Sequence, residues 1–144
     1  MQALSPEQYE RLRELAAAWQ HQQGRGLKEV SHYNPRLGVD ALCFQRWSFE
    51  GGDNHLVGAL VTPVSLSLVL VPVDAEAAAP PSGERRLFAL PSGRYAFQVE
   101  RLASPLWLWR CELLDDLSDL ATRQEASRLA QQLMDRVMTP AARE

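Results

Sequence analysis

His55-Leu56-Val57-Gly58-Ala59-Leu60-Val61-Thr62-Pro63-Val64-Ser65-Leu66-Ser67-Leu68-Val69-Leu70-Val71 is the stretch that decides the fold. His55–Val61 and Ser65–Val71 read as two strands, and Thr62-Pro63 breaks the ladder between them because proline has no amide hydrogen to donate. Ser65–Val71 alternates, with Leu66, Leu68 and Leu70 on one face and Ser65, Ser67 and Val69 on the other. That alternation predicts one better-buried face, and hence an antiparallel sheet.

Working outward, Val39–Phe49 reads as a preceding strand with Phe44 and Trp47 among its bulky members. Glu50-Gly51-Gly52-Asp53-Asn54 is the turn between them, since glycine permits φ > 0 and Asp and Asn bond their own backbone. Downstream, Asp74–Glu84 is a loop with Pro80-Pro81 and Gly83, a composition that suggests mobility. Arg85–Leu90 and Arg94–Arg101 form a hairpin around Pro91-Ser92-Gly93. In the last strand, Leu106–Leu114, alternation sends Trp107, Trp109, Cys111 and Leu113 one way and Leu106, Leu108, Arg110 and Glu112 the other.

A helix precedes the strands and another follows them. Ser5, Pro6 and Gln8 make an N-cap, a first-turn proline and a capping box, and Leu4 and Tyr9 stand where a hydrophobic staple would join them. Tyr9, Leu12, Leu15, Ala16 and Trp19 recur at helical spacing as the buried stripe. Glu10, Arg11, Arg13 and Glu14 fall on the wet side, and Gly24 and Gly26 end the helix. The C-terminal helix is capped by Ser118, or by Thr122 with Glu125 as a T-x-x-E box. Leu129, Ala130, Leu133, Met134 and Val137 form its stripe, and Pro140 stops it. Helix, run of strands, helix is an α+β arrangement: one domain over 1–144, with its core at about 5–138, mainly an antiparallel sheet flanked by the two helices.

The 144 residues carry a net charge of −3 and are 46% hydrophobic, enough for one core and without the basic face a nucleic-acid partner demands. No basic n-region opens the chain, and the apolar stretch Val57–Val73 is shorter than the roughly 20 residues a spanning helix needs. The expectation is a cytoplasmic protein with no membrane association. Cys43 and Cys111 read as buried small apolar side chains, being too few for a disulfide scaffold and not spaced as a metal pair. His21, His32 and His55 stand in unrelated contexts, so no metal site is expected. The glycine pairs are not phosphate loops, and Ser92 lacks the flanking glycine of a nucleophile elbow. No catalytic residues are assigned, and the chain is not expected to be an enzyme. Asp115-Asp116, with Glu112 and Asp119 nearby, are acids of the kind a helix start favours whether or not they bind anything.

Four segments, taken in order, carry a family pattern: Tyr33-Asn34-Pro35-Arg36-Leu37-Gly38-Val39-Asp40-Ala41, Phe44-Gln45-Arg46-Trp47, Leu56 to Pro63, and Leu90-Pro91-Ser92-Gly93-Arg94-Tyr95-Ala96-Phe97. Together they resemble the HybE/HupJ family of [NiFe]-hydrogenase assembly chaperones, from about Tyr33 to Ala130. The resemblance implies a chaperone with no cofactor of its own. Its partner would be an immature hydrogenase subunit, the small subunit with its twin-arginine signal peptide; the alternative is an adaptor bridging maturation factors without touching a signal peptide. Such binding asks for aromatic anchors and for carboxylates that accept guanidinium donors. Phe44, Trp47, Trp107 and Trp109 are the candidate aromatics, Glu112, Asp115 and Asp116 the candidate acids, and Asn34, Pro35, Thr62 and Pro63 the remaining candidate client-binding residues. The aromatic stripe also reads as plain core. This chain departs from the family pattern at Val64-Ser65-Leu66-Ser67, after Thr-Pro, and at Cys111-Glu112-Leu113-Leu114-Asp115-Asp116. Those changes leave the implied fold standing and the client's identity open.

Overall fold

The computed structural model describes residues 4–49, 51–52 and 54–140. Glu50 and Asp53 of the expected turn lie outside the described residues. Helix α1, Pro6–Lys28, starts as its capping box dictates: Gln8 N–H donates to Ser5 Oγ at 3.1 Å, and Ser5 N–H donates to Gln8 Oε1 at 2.9 Å. Leu4, Leu12, Leu15, Ala16 and Trp19 are buried. Tyr9, expected in that stripe, is 48% exposed, so the staple contact does not bury it. Two residues on, Arg11 is not on the wet side but ties the helix down, donating to the carbonyls of Pro72 and Val73. The helix also runs through Gly24 and Gly26 and is closed by Glu29, whose N–H reaches the Gly26 and Leu27 carbonyls. Each interior glycine costs about 1 kcal/mol, and packing of Leu27 against the core helps offset it.

Six strands follow: β1 Asp40–Ser48, β2 Asn54–Val61, β3 Leu66–Pro72, β4 Arg85–Leu90, β5 Gly93–Arg101 and β6 Trp107–Leu114. They form one antiparallel sheet in the order β1-β2-β3-β6-β5-β4. Contrary to the expectation of one better-buried face, β3 is buried at every residue. It is central in the sheet, and both sides are covered. On the outer face Val69 and Val71 join Leu56, Leu60 and Leu108 beneath α1. On the inner face Leu66, Leu68 and Leu70 join Val57, Phe97 and Trp109 beneath helix α2, Arg123–Val137. The last strand's alternation holds: Trp107, Trp109, Cys111 and Leu113 all face inward.

Thr62 N-caps no helix but closes the β2–β3 turn. Its Oγ1 accepts from the N–H of Val64 and of Ser65, and its own N–H donates to Ser65 O. For α2 the cap is Thr122, with Glu125 N–H on its Oγ1 at 3.1 Å, while the Glu125 carboxylate accepts from Ala121 one residue before the box position. Ala126, Ala130, Met134 and Val137 are buried, and Leu129 and Leu133 only partly so. The 74–84 loop is anchored rather than loose: Trp107 Nε1 donates to Ala77 O, and the Arg101 guanidinium to the Ala79 and Pro80 carbonyls.

Candidate functional site: an aromatic cleft at one end of the sheet

Pairing registers sort the candidate residues by position. One end of the sheet holds the start of β1, the end of β2, the start of β3 and the end of β6; the other holds Ser48, Asn54, Pro72, Trp107 and Arg85. Asn34, Pro35, Thr62, Pro63, Asp115 and Asp116 gather at the first end, and Trp47, Trp107 and Trp109 at the second. Phe44 and Glu112 belong to the outer face.

The first end is a buried polar knot. Asn34 is 2% exposed. Its Nδ2 donates to the carbonyls of Leu117 and Leu120, each at 2.9 Å, and its Oδ1 accepts from Arg36 N–H. Its own N–H donates to Pro63 O. The asparagine thus ties the approach to β1, the β2–β3 turn and the approach to α2 into one joint. The other end of α2 is held separately, where Ser92 N–H at the β4–β5 turn donates to Val137 O. Asp115 and Asp116 lie exposed beside the knot. The Ser118 hydroxyl and N–H hold the Asp116 carboxyl below the usual carboxylate range. Glu112 pairs with Arg110, which also binds Glu100 at 2.7 Å and Ser67 Oγ at 2.7 Å and lies over the Trp19 ring.

At the opposite end the inner face is lined by rings rather than by α2. Phe88 on β4 contacts Phe49 just beyond β1 at 5.1 Å between centroids, Trp109 at 5.1 Å and Phe97 at 5.5 Å. Phe49 also meets Trp47 and His55 edge-on. Since β1 and β4 are the two sheet edges, the Phe49–Phe88 contact shows the sheet curling until its edges meet through side chains. Beside the rings opens a cavity of about 500 Å³ lined by His55, Asp74, Arg86, Phe88, Trp107 and Trp109, among others. The Arg86 guanidinium lies over Trp109 at 5.1 Å and over Phe88 at 5.9 Å, and pairs with Glu84. Trp47 Nε1–H is buried with no acceptor among the described residues.

A β-bulge aims Trp47 and Phe49 at this cleft. Leu42 pairs with Ala59 and Gln45 with Val57, so Cys43 and Phe44 together oppose Gly58. Cys43 takes φ 60, the left-handed value such a bulge needs. Gly58 lacks a side chain because the Phe44 ring lies where its Cβ would stand. Inserting one residue reverses which face each later residue meets. Without it Trp47 would share the outer face with Ala41.

The cleft can seat apolar side chains, and its Trp109 face is already stacked by the Arg86 guanidinium; among the described residues no serine, threonine, cysteine or lysine lines it. Contrary to the expectation of buried thiols, Cys43 is exposed and Cys111 half-buried. Partial desolvation, reinforced at Cys43 by Asp135, still pushes both thiols up, so both stay protonated at neutral pH. Among the described residues no three His, Cys, Asp or Glu side chains converge as a metal site would require, and no helix is long and apolar enough to cross a membrane. Phe49, His55, Asp74, Arg86 and Phe88 escaped the sequence reading. The spacing of Arg86, Phe88 and Leu90 signals a shared face, but nothing local pairs Phe88 with Phe49.

The chain is thus a curled antiparallel sheet covered by one helix on each face, with an aromatic cleft at one end. Over residues 10–144 the chain matches the family model described as [NiFe]-hydrogenase assembly, chaperone, HybE, and it belongs to that family. It is 28% identical over 127 residues to hydrogenase expression/formation protein HupJ of Bradyrhizobium diazoefficiens, covering 88% of this chain and 71% of that protein. It is 30% identical over 122 residues to hydrogenase expression/formation protein HupT of Azotobacter chroococcum, covering 85% of this chain and 78% of that protein. The solution structure of HybE from Escherichia coli superposes with a TM-score of 0.62 at 22% identity, over 93% of this chain and 85% of that one, and shares the fold.

Proposed function

We propose that this chain is a non-catalytic assembly chaperone of the cytoplasm that holds an immature [NiFe]-hydrogenase subunit, the small subunit with its twin-arginine signal peptide. Family membership supports the class of work. The observation that carries the reading is the cleft bordered by aromatic rings, a concave surface of mixed polar and apolar lining in which half-buried Phe88 can serve as an anchor. The Arg86 guanidinium already occupies the Trp109 face, so the cleft suits the apolar part of a signal segment rather than its arginines. The arginine pair is assigned to Asp115 and Asp116, whose exposed carboxylates can accept guanidinium donors. Trp107 and Asp115 are eight residues apart in sequence, about 26 Å along an extended strand, so the contact has two separate points.

The test is a titration of the full chain with the precursor small subunit, with its processed form, and with a synthetic signal peptide, followed by tryptophan emission and calorimetry. The precursor should bind at least about tenfold more tightly than the processed form, roughly 1.4 kcal/mol. Asp115→Asn with Asp116→Asn should weaken peptide binding by a similar factor and flatten its salt dependence. Equal affinity for both forms of the subunit would overturn signal recognition and leave the adaptor reading, in which the chain bridges maturation factors.

A further inference from the structure

The two edges of the sheet are built differently. β1 carries the bulge at Cys43 and Phe44, a device that twists an edge away from further pairing. β4 holds an unbroken register with β5 from Arg85–Gln98 to Leu90–Gly93. Val99 N–H donates to Glu84 O at 2.9 Å. By antiparallel alternation Arg86, Phe88 and Leu90 then also bond to β5, and Arg85, Leu87 and Ala89 turn their N–H and C=O groups away from the sheet. Among the described residues no backbone group outside the sheet meets these three. Leu87 is 62% exposed. A slot of about 550 Å³ runs along this edge, walled by Arg86 to Pro91 on one side and by Trp47 to Phe49 on the other. Among the described residues its lining holds the Arg86 cation and no carboxylate; Glu84 pairs with Arg86 at 2.9 Å, and Arg85 beside them leaves one net positive charge at that end.

We propose that the free edge of β4 takes up an extended segment of a second polypeptide as an added antiparallel strand, with apolar residues at alternate positions and a carboxylate near its C-terminal end. Unpaired donors and acceptors on every second residue are complemented only by another extended backbone. Alternate side chains of that strand would point into the slot against Trp47, Phe49 and Phe88. An antiparallel strand brings its C-terminal end to Arg85 and Arg86, where a carboxylate is matched and a lysine or arginine is repelled. The site is separate from the contact assigned above to the arginine pair but shares Arg86 and Phe88 with the aromatic cleft. A signal segment seated there would compete with the added strand, while amide protection at Leu87 and Ala89 reports the strand alone.

The probe is a blocked synthetic peptide of about eight residues, a usual strand length, alternating valine and threonine with glutamate near its C-terminus. It is added to the ¹⁵N-labelled full chain. At saturation the amide exchange of Leu87 and Ala89 should slow by at least about tenfold, while Arg86 and Phe88, already bonded to β5, should not change. Replacing the glutamate with lysine should weaken binding by at least about fivefold. Leu87→Pro removes an outward N–H and spares the β4–β5 ladder, so the variant should fold and fail to protect Ala89. A peptide N-methylated along one edge should also fail to bind the unaltered chain, which tests the idea even where Leu87→Pro does not fold. No slowing at Leu87 and Ala89, undiminished binding to folded Leu87→Pro, or undiminished binding of the N-methylated peptide would each overturn the proposal. Protection that appears without peptide and grows with protein concentration would assign the edge to a second copy of the chain and overturn it as well.

Discussion

At one end of the sheet polar side chains are buried and partnered; at the other, rings border a cavity, with Trp47, Phe49 and Phe88 half-buried and Trp107 and Trp109 buried. Asn34 and Thr62 satisfy backbone groups from three separate segments. Phe88 and Trp109 mainly satisfy each other and the Arg86 cation. A buried amide is costly to leave unpaired, so the first end is rigid by construction. A phenylalanine ring that shifts leaves no buried polar group unpaired, so the second end can yield to a guest at lower cost. Two of the four family segments, Asn34-Pro35 and Thr62-Pro63, therefore mark the joint that positions α2, while the cleft lies at the far end of β6.

Breaking the knot should have the largest effect. Asn34→Ala leaves the Leu117 and Leu120 carbonyls and the Arg36 N–H without their partner. At about 1–3 kcal/mol per buried group left unsatisfied, a loss of about 3 kcal/mol is expected in urea unfolding, with peptide affinity of the folded fraction unchanged. A large affinity change would mean the knot reaches the client.

An intermediate effect is expected at the open end. Phe→Ala in a full core costs about 3–5 kcal/mol, and Phe88 is only partly buried. Phe88→Ala should then cost about 2 kcal/mol of stability but weaken signal-peptide binding at least about tenfold. If stability falls and affinity does not, the rings are core and the cleft is not the site.

The smallest effect belongs to Asp116, which is exposed. Its folded pKa is depressed by Ser118. The stabilisation is thus fully present above the ordinary carboxylate pKa and lost as the pH falls through the lowered one. Asp116→Asn should flatten the acid limb of a thermal-unfolding series and leave neutral stability nearly unchanged, since Asn accepts the same Ser118 hydrogen bonds. A clear loss at neutral pH would make Asp116 part of the knot rather than a solvated acid.

Much of the local structure was legible. Ser5, Pro6 and Gln8 announce the start of α1 and Thr122 that of α2, because a cap is a contact within four residues. The β2–β3 break at Thr62-Pro63 and the inward set Trp107, Trp109, Cys111 and Leu113 follow from proline chemistry and two-residue periodicity. Burial at the margins was not legible. Tyr9 fits the helical stripe yet stays exposed, while Arg11 off the stripe finds the carbonyls at the end of β3. Gly24 and Gly26 carry stop signals that Leu27's packing overrides.

By itself, the chain's order of apolar runs, caps and breaks determined an α+β fold with an antiparallel sheet between two helices, together with the family it belongs to. These depend on interactions between near neighbours and on periods of 2 and 3.6 residues. Only the tertiary structure decided that β3 is covered on both faces, that a bulge opposite Gly58 turns Trp47 inward, and that the acids and the tryptophans lie at opposite ends of β6. The reason is that strand order, the face reversal at a bulge and the meeting of two sheet edges join residues tens of positions apart. Phe49 and Phe88 touch only because the whole sheet curls.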